Sequence, residues 1–224
     1  MVLFMFDIDG TLLDSTGVDD ACFVKAFQDV FDLDIEGFDW NQVSEVTDDI
    51  LVKEVYRSKT GTPLSEQLYS KFKKHFIGLL NQSAQERPDQ FQKVPGAFEF
   101  VQECLNHPGI AVSVATGSWY ESGQLKLKMG GFEGLDLTFA SCSDFPSRRN
   151  IARTSLIRSC LEEQVEFTNV VYFGDGLWDF KTMELLNWNF VGIDVHKNGK
   201  LSSAGAQHVI NDYLEGQEII QHHL

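Results

Sequence analysis

Apolar residues follow two patterns along the chain. Short runs with nearly every position apolar, bounded by polar or glycine punctuation, occur at 2–6, 110–115, 135–140, 170–173 and 190–193. A run apolar on both faces suits a strand buried on both sides, as in a parallel sheet covered by helices. Between the later runs, residues 97–107, 119–130, 149–163 and 177–187 read as helices. The alternation of strand and helix predicts a doubly wound α/β domain with a parallel sheet.

One stretch breaks the alternation. Residues 15–93 carry no strand pattern, and Ile50, Val52, Val55 and Tyr56, then Leu68, Tyr69, Phe72, Phe76, Leu79 and Leu80, recur at helical spacing. An α-helical domain of roughly 80 residues is therefore expected inside a core domain made of residues 1–14 and 94–224. Pro95-Gly96 marks the return to the core, and Pro63 and Pro88 mark loops within the insertion. Asn211 is the expected N-cap of a closing helix that runs to Leu224.

Composition narrows the function. A net charge of −15, from 18 basic and 33 acidic residues, disfavours nucleic acid and anionic membranes as partners. An anionic substrate would need a metal or a local group of bases to reverse the field. Cys22, Cys104, Cys142 and Cys160 fit no zinc-ligand spacing and read as free thiols of a reducing compartment. The first apolar run ends at once in Asp7, so it is neither signal peptide nor membrane span, and a cytoplasmic protein is expected.

Ligands of open parallel sheets bind at the carboxyl ends of the strands, and three runs end in chemically loaded residues. The first leads into Asp7-Ile8-Asp9-Gly10-Thr11, where one carboxylate can attack or bind metal while the other moves protons, and Gly10 permits a tight turn. The second ends in Thr116-Gly117-Ser118, which can hold phosphate oxygens through a hydroxyl and main-chain N–H groups; alternatively Ser118 is the N-cap of a helix from Trp119. The third leads into Gly174-Asp175-Gly176-Leu177-Trp178-Asp179. There Asp175 can bind Mg²⁺ with Asp7, and Asp179 can act directly, through water, or only as a first-turn acid on a helix dipole. His222-His223 is too short to read as a metal tract.

Together these motifs resemble the haloacid dehalogenase superfamily, in the phosphoglycolate-phosphatase-like branch with an α-helical cap. The resemblance implies a cap domain at 15–93 and a Mg²⁺-dependent phosphatase acting on a small phosphorylated metabolite. It implies that Asp7 is the nucleophile that becomes an aspartyl-phosphate. Asp9 would be the general acid and base, and would give a main-chain carbonyl to the metal. Thr116 and Gly117 would bind phosphate, and Asp175 would bind Mg²⁺. The lysine that the superfamily places before a later helix is missing: the chain reads Ser147-Arg148-Arg149-Asn150-Ile151, with no lysine between Lys128 and Lys181. Arg148 is nominated in its place, with Arg149 as the alternative.

Within the expected cap, Thr47-Asp48 resembles a pair that relatives bring over the site, or Thr47 is simply a helix N-cap. Glu45-Val46 just before it disfavours a carboxylated substrate. A phosphomutase would keep the same motifs, whereas Asp9 argues against a dehalogenase. A non-catalytic phosphate-binding protein is the reading from another class. The chain is expected to be a monomer or a homodimer.

Overall fold

The computed structural model describes residues 1–214 and 216–223. In chain order the elements are β1 (Val2–Phe6), β2 (Leu13–Asp14), α1 (Thr16–Phe31), α2 (Asp48–Thr60), α3 (Glu66–Glu86), β3 (Gln92–Lys93), α4 (Ala97–Asn106), β4 (Ile110–Thr116), α5 (Tyr120–Met129), β5 (Thr138–Ser141), α6 (Arg148–Glu163), β6 (Asn169–Gly174), α7 (Leu177–Leu186), β7 (Asn189–Ile193), α8 (Lys200–Ala204), β8 (Val209–Ile210) and α9 (Gly216–His223). Short 3-10 turns occupy Trp40–Gln42 and Pro88–Gln90.

The expected parallel sheet is present. Six strands pair in the order β5-β4-β1-β6-β7-β8, and every pairing is parallel. β1 is central and buried along its whole length. Its pleat sends Leu3 and Met5 to one apolar layer, with Ile151 and Ala152 of α6 and Met183 of α7. Val2, Phe4 and Phe6 go to the other, with Phe100 and Val101 of α4 and Ile219 and Ile220 of α9. Burial on both faces explains why these strands read as unbroken apolar runs.

Three expectations need correction. The run at 135–140 forms a strand only from Thr138, because Leu135 and Leu137 pack on the second layer from a loop. The 15–93 stretch is not free of strand: Gln92–Lys93 pairs antiparallel with Leu13–Asp14, which closes the entrance and exit of the helical insertion. Two residues are too few to show a period. Asn211 is not an N-cap, since α9 starts at Gly216 after Tyr213 has been drawn into the core, its N–H donating to the Pro95 carbonyl at 2.9 Å. Glu215 and Leu224, both in the expected closing helix, lie outside the described residues.

The insertion packs on an aromatic core that is continuous with the first apolar layer. Phe72 of α3 is fully buried, with its ring 5.1 Å from Phe23 and 4.9 Å from Phe27 of α1. The same core continues to Trp119, 6.4 Å from Phe72 and 5.6 Å from Phe76, and the Trp119 indole donates to the Tyr69 hydroxyl at 2.9 Å. Trp119 directly follows the Thr116-Gly117-Ser118 loop, so the packing of the insertion bears on that loop.

All four cysteines are unpaired; Cys22, Cys104 and Cys142 are buried and Cys160 is half-buried. Among the described residues, no helix is long and apolar enough to cross a membrane. Truncating the ring at the centre of the aromatic core, Phe72→Ala, is expected to cost about 3–5 kcal/mol. The shift of the urea midpoint measures it.

Candidate active site

The three loaded strand ends meet at the carboxyl edge of the sheet. Asp7 follows β1, and its N–H donates to the Phe173 carbonyl of β6 at 3.0 Å. One carboxylate oxygen, Oδ1, accepts the Ile8 N–H at 2.8 Å, and the other, Oδ2, accepts from Nη1 of Arg148 at 3.1 Å. Asp7 is 3% exposed, so its charge needs partners of this kind.

Arg148 starts α6 and is buried, whereas Arg149 is exposed. Besides Asp7, its Nη1 donates to Oδ1 of Asp179 at 2.6 Å. Its Nε donates to the Val46 carbonyl at 2.8 Å, and its main-chain N–H to Glu45 at 3.2 Å. Burial favours the neutral guanidine, but Asp179 and Asp7 outweigh it and hold Arg148 charged. Asp179 sits in the first turn of α7, with Oδ2 accepting the Gly176 N–H at 3.2 Å. Burial pushes its carboxyl up to about 7 against the pull of Arg148.

Asp175 stands beside Gly10. Gly10 has φ +71°, and a Cβ there would lie 2.2 Å from Oδ2 of Asp175, so only glycine lets the two loops approach this closely. Desolvation, with Asp179 and Asp7 alongside, pushes the Asp175 carboxyl well above the usual range. Asp7, Asp175 and Asp179 each offer an oxygen, all within 4.8 Å of one another. Three hard carboxylates with too little positive charge between them form a donor set that fits Mg²⁺.

Thr116 ends β4, and its hydroxyl oxygen accepts the Ser118 N–H at 3.2 Å. Gly117 leaves room for its neighbours: a Cβ would fall 2.6 Å from Nη2 of Arg148 and 2.9 Å from the Val46 carbonyl. Ser118 is not an N-cap, since α5 starts at Tyr120 with Trp119 in the cap position. Its hydroxyl donates instead to Oδ2 of Asp9 at 3.1 Å.

The sequence reading missed the surroundings of Asp9. Oδ1 accepts the Ser15 hydroxyl at 2.6 Å, and Oδ2 accepts Nζ of Lys126 at 2.6 Å. Lys126 is fully buried on α5, also donates to the Ser118 hydroxyl at 3.0 Å, and pairs with Asp19 of α1. Burial alone would neutralise this lysine, yet Asp19, Asp9 and Asp48 raise its pKa above the ordinary value. Ser118, Ser122 and Lys126 recur every four residues, an inward polar stripe that could have pointed to it.

Thr47 stands in the N-cap position of α2, but its hydroxyl donates to the Pro146 carbonyl at 2.8 Å and does not cap the helix. Asp48 is buried, gives its N–H to the Gly117 carbonyl at 2.9 Å, and accepts the Trp119 N–H at 2.9 Å. Burial pushes its carboxyl up to about 6. Asp7, Asp9, Thr116, Gly117, Arg148, Asp175, Thr47 and Asp48 all line one cavity of about 120 Å³, together with Asp19, Asp20, Trp40 and Trp178. Asp179 lies behind that wall, against Arg148.

The family model described as haloacid dehalogenase-like hydrolase matches residues 1–187. A search of curated protein sequences finds no match. Among solved structures, a hydrolase from Pseudomonas syringae superposes with a TM-score of 0.76 at 17% identity, covering 99% of each chain. A predicted phosphoglycolate phosphatase from Haemophilus somnus gives 0.68 at 17% identity, covering 98% of this chain and 97% of that one. CbbY from Rhodobacter sphaeroides, in complex with phosphate, gives 0.61 at 16% identity, covering 96% and 98%. At such identities the likeness is one of fold.

Lys126→Met would leave Asp9 and Asp19 without their buried cation. It is expected to destabilise the protein by about 3–5 kcal/mol in urea unfolding, with part of the loss recovered by Lys126→Arg.

Proposed function

Because the chain belongs to the haloacid dehalogenase-like hydrolases, we propose that it is a Mg²⁺-dependent phosphatase. It hydrolyses a small phosphate monoester through an aspartyl-phosphate on Asp7. The observation that carries this reading is the setting of Asp7: a buried carboxylate at a strand end, with one oxygen fixed by the Ile8 N–H and the other facing Arg148.

Phosphoryl transfer depends on positioning and on neutralising the phosphoryl oxygens. Asp7 attacks phosphorus, the bond to the leaving oxygen breaks, and Asp9 gives that oxygen a proton. Asp9 then takes a proton from water, which attacks the aspartyl-phosphate, frees inorganic phosphate and regenerates Asp7. Arg148, Thr116 and the Gly117 loop hold the phosphoryl oxygens. Ser15, Ser118 and Lys126 keep the Asp9 side chain in one orientation. Asp7, Asp175 and the Asp9 carbonyl, with Asp179 behind them, would hold Mg²⁺, which offsets the crowded negative charge.

On this reading the helical segment 15–93 is the cap, a role supported by the pairing of β2 with β3 at its two ends. It gives the cavity an acidic wall of Asp19, Asp20 and Asp48. The negative charge that remains on this wall after Lys126 has paired with Asp19 disfavours leaving groups with a carboxylate or a second phosphate. Glu45 does not line this wall; its carboxylate accepts the Arg148 main-chain N–H at 3.2 Å. The enzyme works in the cytoplasm.

The test is inorganic phosphate release from a panel of small monoesters. Activity is expected with Mg²⁺, none with chelator, and restoration when Mg²⁺ returns. Asp7→Asn is expected to abolish turnover, and Asp9→Asn to slow it by about 10²–10⁴-fold. Wild-type rates in purified Asp7→Asn protein would sink the proposal. Phosphoryl return to a sugar hydroxyl without phosphate release would turn it into a mutase.

A further inference from the structure

Three histidines converge far from the carboxylates. His208 immediately precedes β8, and His222 and His223 lie in the last turn of α9. The cluster sits at the amino end of the edge strand, whereas Asp7 and Asp175 sit at the carboxyl ends of β1 and β6. All three residues place a ring nitrogen within 4.8 Å of the others. Nδ1 of His208 is 3.2 Å from Nε2 of His223. Two nitrogens on a tetrahedral Zn²⁺, each about 2.0–2.1 Å from the ion, lie about 3.3 Å apart, so the observed pair already spans one edge of such a site.

The rings are grouped from different directions. His208 and His223 stack at 5.3 Å, and His222 meets His223 edge-on at 4.8 Å. His208 and His223 are half-buried, while His222 is exposed at the rim. Without an ion, one of the two facing nitrogens of His208 and His223 carries a proton shared with the other; coordination would move that proton to the outer nitrogen of its ring and give both facing lone pairs to the metal. The groove beside them carries the carboxylates of Glu184, Asp212 and Glu218, which draw cations toward it.

We propose that His208, His222 and His223 bind one divalent transition-metal ion of the Zn²⁺, Co²⁺ or Ni²⁺ type, and that this ion fastens α9 to the edge of the sheet. Three imidazoles select such borderline ions over Mg²⁺, which prefers oxygen. The fastening matters because α9 brings Ile219 and Ile220 into the apolar layer beneath β1, β6 and β7. A ligand that binds only the folded chain stabilises it by mass action. This site is independent of the phosphatase reading, since it shares no residue with the cavity around Asp7.

The experiment is a Co²⁺ titration of the chelator-treated full-length protein, followed by thermal unfolding with and without Zn²⁺. Expected are one equivalent of Co²⁺ with the intense visible bands of a four-coordinate, nitrogen-rich site, and a melting temperature raised by Zn²⁺. Both effects should vanish when His222→Ala, at an exposed position, or His208→Gln is made in an Asp175→Asn background, which removes a carboxylate of the other candidate metal site. Both should persist in Asp175→Asn. No visible bands in the wild-type protein, or the same bands and stoichiometry in both histidine variants, would overturn the proposal.

Discussion

Buried negative charge is the constraint from which the site is built. Asp7, Asp175 and Asp179 crowd the carboxyl edge of β1 and β6, and Asp9 and Asp19 stand close by. Carboxylates at such separations in a low dielectric repel one another strongly, and burial, more than that repulsion, pushes the Asp175 and Asp179 carboxyls above the ordinary range. Two buried cations relieve the repulsion. Arg148 bridges Asp7 and Asp179, and Lys126 bridges Asp9 and Asp19.

Each cation also joins the sheet domain to the helical insertion. Arg148 reaches out to Glu45 and Val46, and Lys126 to Asp19. Asp48 completes the seam by bonding the main chain at Gly117 and Trp119. Arg148 and the Gly117 loop, which we propose meet the phosphoryl oxygens, are thus held by the helical segment that lines the same cavity. The aromatic contact from Phe72 and Phe76 to Trp119 makes the same connection through packing.

What the sequence revealed depended on whether a feature was local. The parallel strands were legible because burial on both faces writes unbroken apolar runs, as at Val2–Phe6. The Asp7 and Asp175 loops were legible because each follows such a run. Arg148 stood out as a base in a place where the family resemblance called for a lysine. Other features were written in tertiary contacts. Lys126 and Asp9 are 117 positions apart, and a lysine on a helix ordinarily reads as a solvated residue. Ser118 looked like an N-cap until its hydroxyl was seen on Asp9. The histidine pair near the end of the chain gained meaning only when the fold placed His208 beside it. The two-residue strands β2 and β3 exist because the insertion must begin and end side by side.

The central claim is that Asp7 carries the phosphoryl group between substrate and water. Its most direct test is rapid acid quench of the enzyme during turnover of an active monoester with Mg²⁺, followed by peptide mass spectrometry. An aspartyl-phosphate mechanism predicts one phosphoryl group on the peptide containing Asp7, and none on that peptide from Asp7→Asn protein. Steady release of phosphate with no phosphoryl group on Asp7 at any quench time, and with one found on another residue, would contradict it.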